Sequence, residues 1–148
     1  MREAGQQVSK SAGQRGSEMT GKEQNAPAHG RTRHYRELLV WQKAMELARH
    51  VYRETEALPK TENYGLLLQM RRAAVSIPSN IAEGHGRLKD GYLRQFLGTA
   101  RGSLFELQTQ MELAGDMRYL SEDATAQLME QSEEVARWIN GLPAKLES

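Results

Sequence analysis

The chain has 148 residues, with 20 Lys and Arg against 19 Asp and Glu, 39% hydrophobic residues and no cysteine. The absence of cysteine excludes disulfides, thiolate catalysis, zinc ribbons and iron–sulfur clusters. No apolar run approaches the roughly 20 residues that a transmembrane helix requires, and the N-terminus lacks the apolar segment of a secretory signal. We therefore expect a soluble cytoplasmic protein that makes no membrane contact.

Residues 1–33 differ in composition from the rest of the chain. They contain no Leu, Ile, Phe, Tyr or Trp, and they carry six basic residues against three acidic ones. Such a segment buries too little apolar surface to offset its ordering entropy, which predicts a disordered N-terminal tail. The tail is either an electrostatic arm for an anionic partner or a solvated extension, including one that results from a start codon placed too far upstream. Residues 34–148 form the predicted folded domain.

The first predicted helix covers about residues 34–57. It ends at Leu58-Pro59, because a residue before proline is disfavoured in the helical conformation. Its apolar residues recur at the spacing of an amphipathic helix. One face carries Trp41, Met45, Ala48 and Tyr52, with Ala44, Leu47 and Val51 beside it.

The second predicted helix begins at a Thr61 cap, with Glu62 complementing its positive end. It extends to about Glu83, where Gly84 and Gly86 are predicted to stop it. Pro78 lies inside this helix, where it lacks an N–H and its ring opposes the carbonyl of the fourth residue before it. A kink is therefore predicted at this position.

The third predicted helix covers about residues 89–115, and the fourth begins at a Ser121 cap and closes at Gly141 and Pro143. No segment alternates with a period of two, so strands are not expected. Four long helices with short connections predict an all-α fold, an antiparallel up-down four-helix bundle.

Charge is unevenly distributed along the predicted helices. Residues 71–101 hold six basic residues against two acidic ones, whereas residues 102–148 hold three against nine. A local basic region can contact phosphates without a high overall isoelectric point. Alternatively, its arginines pair with acidic groups on the fourth helix or on a neighbouring subunit. The candidate nucleic-acid-binding residues are Arg71, Arg72, Arg87, Lys89 and Arg94.

Two glycines four residues apart, Gly98 and Gly102, interrupt the third helix. Each costs about 1 kcal/mol relative to alanine, which close approach by another helix would offset. The partner is either the second helix or another chain.

The sequence offers little support for catalysis or metal binding. No histidine follows a glutamate at the three-residue spacing of carboxylate-bridged metal bundles, and no phosphate loop or dinucleotide fingerprint occurs. Glu83 and His85 form the one compact acid–base cluster, at a predicted helix end. We predict a protein that is not an enzyme and that has no catalytic residues, cofactor or metal site.

A long segment, QMRRAAVSIPSNIAEGHGR at residues 69–87, resembles the signature of the bacterial 23S rRNA intervening-sequence proteins, the "four helix bundle protein" family. Supporting matches are WQKAMEL at 41–47, YGL at 64–66, FL at 96–97 and GSLFEL at 102–107. The resemblance covers about residues 35–142.

The resemblance implies an up-down four-helix bundle that assembles as a homopentamer around a central channel. The prediction that the protein binds RNA or DNA comes from the basic region itself. A distant branch comprises the accessory variability proteins of diversity-generating retroelements, basic pentamers that bind nucleic acid and a reverse transcriptase. This chain departs from that branch because residues 34–148 carry two more acidic than basic residues. A reverse transcriptase partner is therefore not expected.

Two polar residues of the resembling segment, Asn80 and Glu83, follow Pro78 at one-turn spacing. They either satisfy backbone groups that the kink frees or line a subunit interface near Arg71 and Arg72.

Overall fold

Four α-helices make up the folded part of the chain in the computed structural model. The structure describes residues 34–86 and 90–147, except for the side chains of residues 90 and 143–147. The predicted four-helix bundle is confirmed, and no strand occurs in these described ranges. The predicted tail, residues 1–33, lies outside them and stays a prediction. The helices are α1 (Leu39–Glu54), α2 (Leu66–Gly86), α3 (Asp90–Asp116) and α4 (Glu122–Glu147), with 3₁₀ helices at Tyr35–Glu37, Thr55–Ala57 and Lys60–Glu62.

The side-chain contacts between neighbouring helices fix their antiparallel directions. Between α1 and α4, Lys43 pairs with Glu134 and His50 hydrogen-bonds Gln131, so that later residues of α1 meet earlier residues of α4. Between α3 and α4, the same order reversal appears in two hydrogen bonds. These are Arg101 to Asn140 and Gln108 to Ser132.

The core lies along the common axis of the four helices and is almost entirely aliphatic. In α1 its members are Val40, Ala44, Leu47, Ala48 and Val51, so the buried face is rotated from the predicted Trp41–Tyr52 stripe. That stripe lies at the edge of the core, because the adjacent Ala44–Leu47–Val51 row points at the other helices. The largest buried side chains elsewhere are Met70, Ile77, Ile81, Leu104, Leu107, Met111, Leu128, Val135 and Ile139.

The start of α2 differs from the prediction, whereas the start of α4 agrees with it. Thr61 lies in the 3₁₀ helix Lys60–Glu62, and α2 begins at Leu66. Glu62 takes the capping role instead, because its Oε1 accepts a hydrogen bond from the Leu66 N–H at 2.8 Å. The Ser121 cap is confirmed, since its Oγ accepts from the N–H of Ala124 at 3.0 Å.

Gly84 and Gly141 do not stop their helices as predicted, whereas Gly86 is the last residue of α2. Gly84 does not stop α2 but is buried within it, and the helix runs to Gly86. An added Cβ at Gly84 would lie 2.8 Å from Phe96 Cβ, so this glycine lets α2 and α3 approach closely. Likewise, Gly141 does not close α4, which runs through Pro143 to Glu147. Pro78 is buried inside the continuous helix α2.

Gly98 and Gly102 do not provide a close approach to α2. Both are exposed, and a Cβ added at either would meet nothing within 4 Å. The expectation that the second helix packs closely against these glycines is therefore wrong. The exposed face around these glycines includes Phe105 and Leu113, which are 50% and 49% exposed.

Candidate functional site

Arg71, predicted from the sequence to contact phosphates, is anchored within its own chain. Its Nε donates to Thr55 Oγ1 at 2.9 Å, and its Nη2 donates to the Tyr52 carbonyl at 3.1 Å. The same Nη2 lies 3.3 Å from Glu56 Oε2. Its guanidinium also stacks over the Tyr52 ring, 4.5 Å from the centroid. Arg71 therefore ties α2 to the end of α1, and its charge is shared with an exposed acid.

The other predicted basic residues lie on α2, on α3 and between these two helices. Arg72 and Arg94 are exposed, on α2 and α3 respectively. Arg87 and Lys89 lie outside the described residues, between the end of α2 and the start of α3. Arg101, which belongs to the same basic stretch, donates to Asn140 of α4 at 3.0 Å, so its partner there is an amide and not an acid.

Asn80 bonds within its own helix and joins a hydroxyl contact to α3. Its Nδ2 donates to the Ser76 carbonyl at 2.8 Å and to Ser76 Oγ at 3.0 Å. Ser76 Oγ in turn lies 2.7 Å from Ser103 Oγ across the helix pair. Glu83 is exposed on the same helix, one turn later. The three polar side chains at positions 76, 80 and 103 thus link α2 to α3 near Pro78.

An open groove with a volume of about 620 Å³ lies between α1 and α2. We refer to it as the α1–α2 groove. Such a volume lies within the range of about 300–1,000 Å³ that small-molecule sites occupy. Two charged residues, Arg49 and Arg53, line it. Its apolar walls include Tyr35, Trp41, Met45, Tyr52, Val75 and Pro78.

Aromatic contacts organise both ends of the α1–α2 groove. Tyr35 packs edge-on against Trp41, with ring centroids 5.2 Å apart, and the Arg36 guanidinium lies 5.1 Å from the Tyr35 centroid. At the other end, Tyr52 is 43% exposed and carries the stacked Arg71. The groove thus combines one exposed and two partly buried aromatic rings with cations.

Reasoning from the sequence missed this groove and its two arginines. Residues 34–70 hold five basic and five acidic residues, so the segment gives no excess charge. In the structure, other charged groups of α1 are paired elsewhere: Glu54 lies 3.4 Å from His50, and Lys43 pairs with Glu134 of α4. Arg49 and Arg53 are thereby separated from these charges. The one available signal was the Trp41–Tyr52 stripe, which carries two aromatic residues in a chain with only 6% aromatic residues.

Tyr119, just after α3, has a perturbed ionisation. Desolvation first, and then the hydrogen bond to Glu62 and its negative charge, raise the pKa of Tyr119 above its ordinary value of 10.0. The Tyr119 hydroxyl donates to Glu62 Oε2 at 3.1 Å. Because Glu62 also caps α2, this contact fixes the turn after α3 to the start of α2.

Neither a metal cluster nor a membrane span appears in the described part of the chain. No group of three His, Asp or Glu side chains gathers there in a way that would hold a metal ion. Similarly, no helix within these ranges combines the length and apolar character needed to cross a bilayer.

These features define the class as an all-α, antiparallel four-helix bundle with a basic, aromatic groove on one side. Residues 36–141 match the 23S rRNA-intervening sequence protein family. The chain belongs to that family.

Comparison with solved structures supports the same fold. The crystal structure of a protein of unknown function from the S23 ribosomal protein family of Bacteroides thetaiotaomicron matches with a TM-score of 0.66. The two chains share 19% sequence identity, and the match covers 71% of this chain and 98% of that one. At this identity the likeness shows the fold alone. No curated protein matches the sequence.

Proposed function

We propose that this protein is a non-enzymatic, oligomeric four-helix bundle of the cytoplasm that binds RNA or other nucleic acid. The observation that carries the proposal is the basic stretch at residues 71–101, with six basic residues against two acidic ones. Because phosphate contacts dominate nucleic-acid affinity, binding should be salt-dependent and weakly sequence-specific. The family resemblance adds the expectation of a homopentamer.

The anchoring of Arg71 changes which residues should carry the phosphate contacts. The Arg71 guanidinium already donates hydrogen bonds to Thr55 and to the Tyr52 carbonyl. It therefore contributes to the positive electrostatic potential of the region more than it contributes a new phosphate contact. We therefore assign the contacts chiefly to the exposed Arg72, together with Arg87, Lys89 and Arg94 of the same basic stretch.

The test is RNA binding by a variant with Arg72, Arg87 and Lys89 changed to Glu, with Arg71 left intact. Fluorescence anisotropy with a structured RNA hairpin, at 50 and 200 mM salt, measures affinity and its salt dependence. Each lost phosphate contact should lower the slope of log K against log salt by about 0.7 to 0.9. Exposed Arg137 of α4 supplies the control, Arg137→Glu, which should bind the hairpin like the wild type.

Light scattering coupled to size exclusion then follows the oligomer, and helicity follows the fold. If the triple variant keeps its mass and helicity but binds the hairpin unchanged, these residues are not the interface. If the wild type binds no RNA at low salt, RNA binding itself is wrong.

A second candidate function is a protein-interaction scaffold without direct contact to nucleic acid. It is favoured by the outward face of α3, where Phe105 and Leu113 are about half exposed and Gly98 and Gly102 leave open space beside them. This hypothesis predicts that Gly98→Leu changes the oligomeric mass or the binding of a protein partner. It also predicts that added RNA leaves the oligomeric mass of the wild type unchanged. The triple charge reversal would then leave RNA affinity unchanged, because the wild type would not bind RNA.

A further inference from the structure

We propose that the α1–α2 groove binds an unpaired base of single-stranded RNA, with the flanking phosphates at Arg49 and Arg53. This inference rests on the proposed nucleic-acid function and specifies the form of RNA that the protein selects. It also adds Arg49 and Arg53 of α1 to the phosphate contacts, beside the basic stretch of α2 and α3.

The walls of the groove suit a flat aromatic ligand. Trp41, Tyr35 and Tyr52 all line it, together with Pro78 and the thioether of Met45. Base–aromatic stacking is tolerant of sequence, because every base presents a π-face. The groove volume of about 620 Å³ also lies within the range of sites that enclose a small molecule.

The charges of the groove specify an anion. Arg49 and Arg53 are exposed, and neither takes part in an ion pair or hydrogen bond among the described residues. Meanwhile Glu54, the nearest acid in sequence to Arg53, lies 3.4 Å from His50 on another side of α1. Two cations beside aromatic rings are complementary to a nucleotide, whose phosphate and base are joined covalently.

The arginine that stacks on Tyr52 extends this cationic environment. Arg71 covers the Tyr52 ring at 4.5 Å while its Nε is held by Thr55 at 2.9 Å. The ring is thereby fixed in orientation before any ligand arrives. An ordered platform loses less side-chain entropy on binding than a mobile one.

The same geometry disfavours a duplex. A base can enter a groove between two helices only after it leaves its stack, and A-form RNA keeps its bases stacked around a narrow major groove. Single strands, loops and bulges present such bases without that cost. We therefore expect the groove to prefer an unstructured strand over the duplex of the same sequence.

The first test uses the two tryptophans of the chain as reporters. In a Trp138→Phe variant, Trp41 is the sole tryptophan, and its fluorescence should be quenched by an unstructured 12-nucleotide RNA. The complementary duplex should quench it far less at equal concentration. In the matched Trp41→Phe variant, the remaining Trp138 on α4 should report no quenching by either RNA.

The second test removes the contacts one at a time. Tyr52→Leu should weaken binding of the 12-nucleotide strand by roughly 5- to 150-fold, the range expected for loss of one stacked base, while Tyr52→Phe should retain the affinity. Arg49→Gln and Arg53→Gln should each lower the salt slope by about 0.7, as for one phosphate contact to a single strand. Arg137→Gln, which removes an exposed arginine from α4, should change neither quantity.

The outcomes separate this inference from the broader function. If the 12-nucleotide strand binds without quenching Trp41 and with equal affinity for Tyr52→Leu, the groove assignment is wrong and nucleic-acid binding stands. If neither RNA binds the wild type, RNA binding and the groove assignment are both wrong. If Tyr52→Leu changes the oligomeric mass instead of RNA affinity, the groove is a contact with a second copy of the chain, and the base-binding proposal is overturned.

Discussion

Gly84→Ala should destabilise the bundle, although alanine is intrinsically the better helix former. Replacing glycine by alanine inside a helix contributes about 1 kcal/mol of stability when the new methyl has room. At Gly84 it has none, because the added Cβ would lie 2.8 Å from Phe96 Cβ and 3.2 Å from Leu93 Cδ1. Phe96 Cβ is bonded directly to the α3 backbone, so relief requires that the two helices separate.

The magnitude follows from the two opposing effects. Overpacking of a well-packed interface costs about 1–3 kcal/mol, from which the gain in helix propensity of about 1 kcal/mol is subtracted. We expect the free energy of unfolding to fall by about 1 kcal/mol, with a decrease of roughly 4 °C in Tm for a domain of this size.

Gly98→Ala provides the matched control, because it is the same change in α3 with nothing within 4 Å of the new methyl. It should raise the free energy of unfolding by about 1 kcal/mol, which leaves the two variants about 2 kcal/mol apart. Urea denaturation followed by circular dichroism at 222 nm measures both. If Gly84→Ala is as stable as Gly98→Ala, the close approach of α2 and α3 at this residue is refuted.

Three further predictions concern side-chain hydrogen bonds. Thr55→Val removes the acceptor of the Arg71 Nε–H and should lower the free energy of unfolding by about 1–3 kcal/mol, as measured by urea denaturation. Thr55→Ser keeps a hydroxyl acceptor and should retain most of the wild-type stability. Equal stability of the two variants would contradict a structural role for Arg71. Glu62→Ala removes the acceptor of the Leu66 N–H and should cost about 1 kcal/mol, as for loss of a helix cap; a thermal melt that matches the wild type would exclude this cap. Because the pKa of Tyr119 is raised in the folded state, its contribution to stability is fully present below pH 10 and should be lost as pH rises through the folded-state value. Absorbance titration at 295 nm should show part of this elevation disappear in Glu62→Gln, while the part caused by desolvation remains.

Local patterns in the sequence were sufficient for the main elements of the fold. The apolar spacing indicated four helices, and the Ser121 cap lies where an isolated hydroxyl before an acidic first turn predicts it. Both signals act within a few residues, so they need no knowledge of neighbouring helices. The family followed from a long contiguous motif in the same way.

The tertiary structure decided which side of each element faces a partner. Glycine is a stop signal by local rules, yet Gly84 continues α2, because its missing side chain allows contact with α3. Gly98 and Gly102 looked like the close contact, yet they face outward. A sequence gives the composition of each helix face but not the rotation of that face toward its neighbours.

The candidate site shows the same division. The sequence alone determined the helical class, the family motif and the local excess of basic residues at positions 71–101. Only the tertiary structure showed that Arg71 is bonded to Thr55 and that Arg49 and Arg53 flank an aromatic groove. The physical reason is that charges and rings distant in sequence acquire a shared environment only when helices pack.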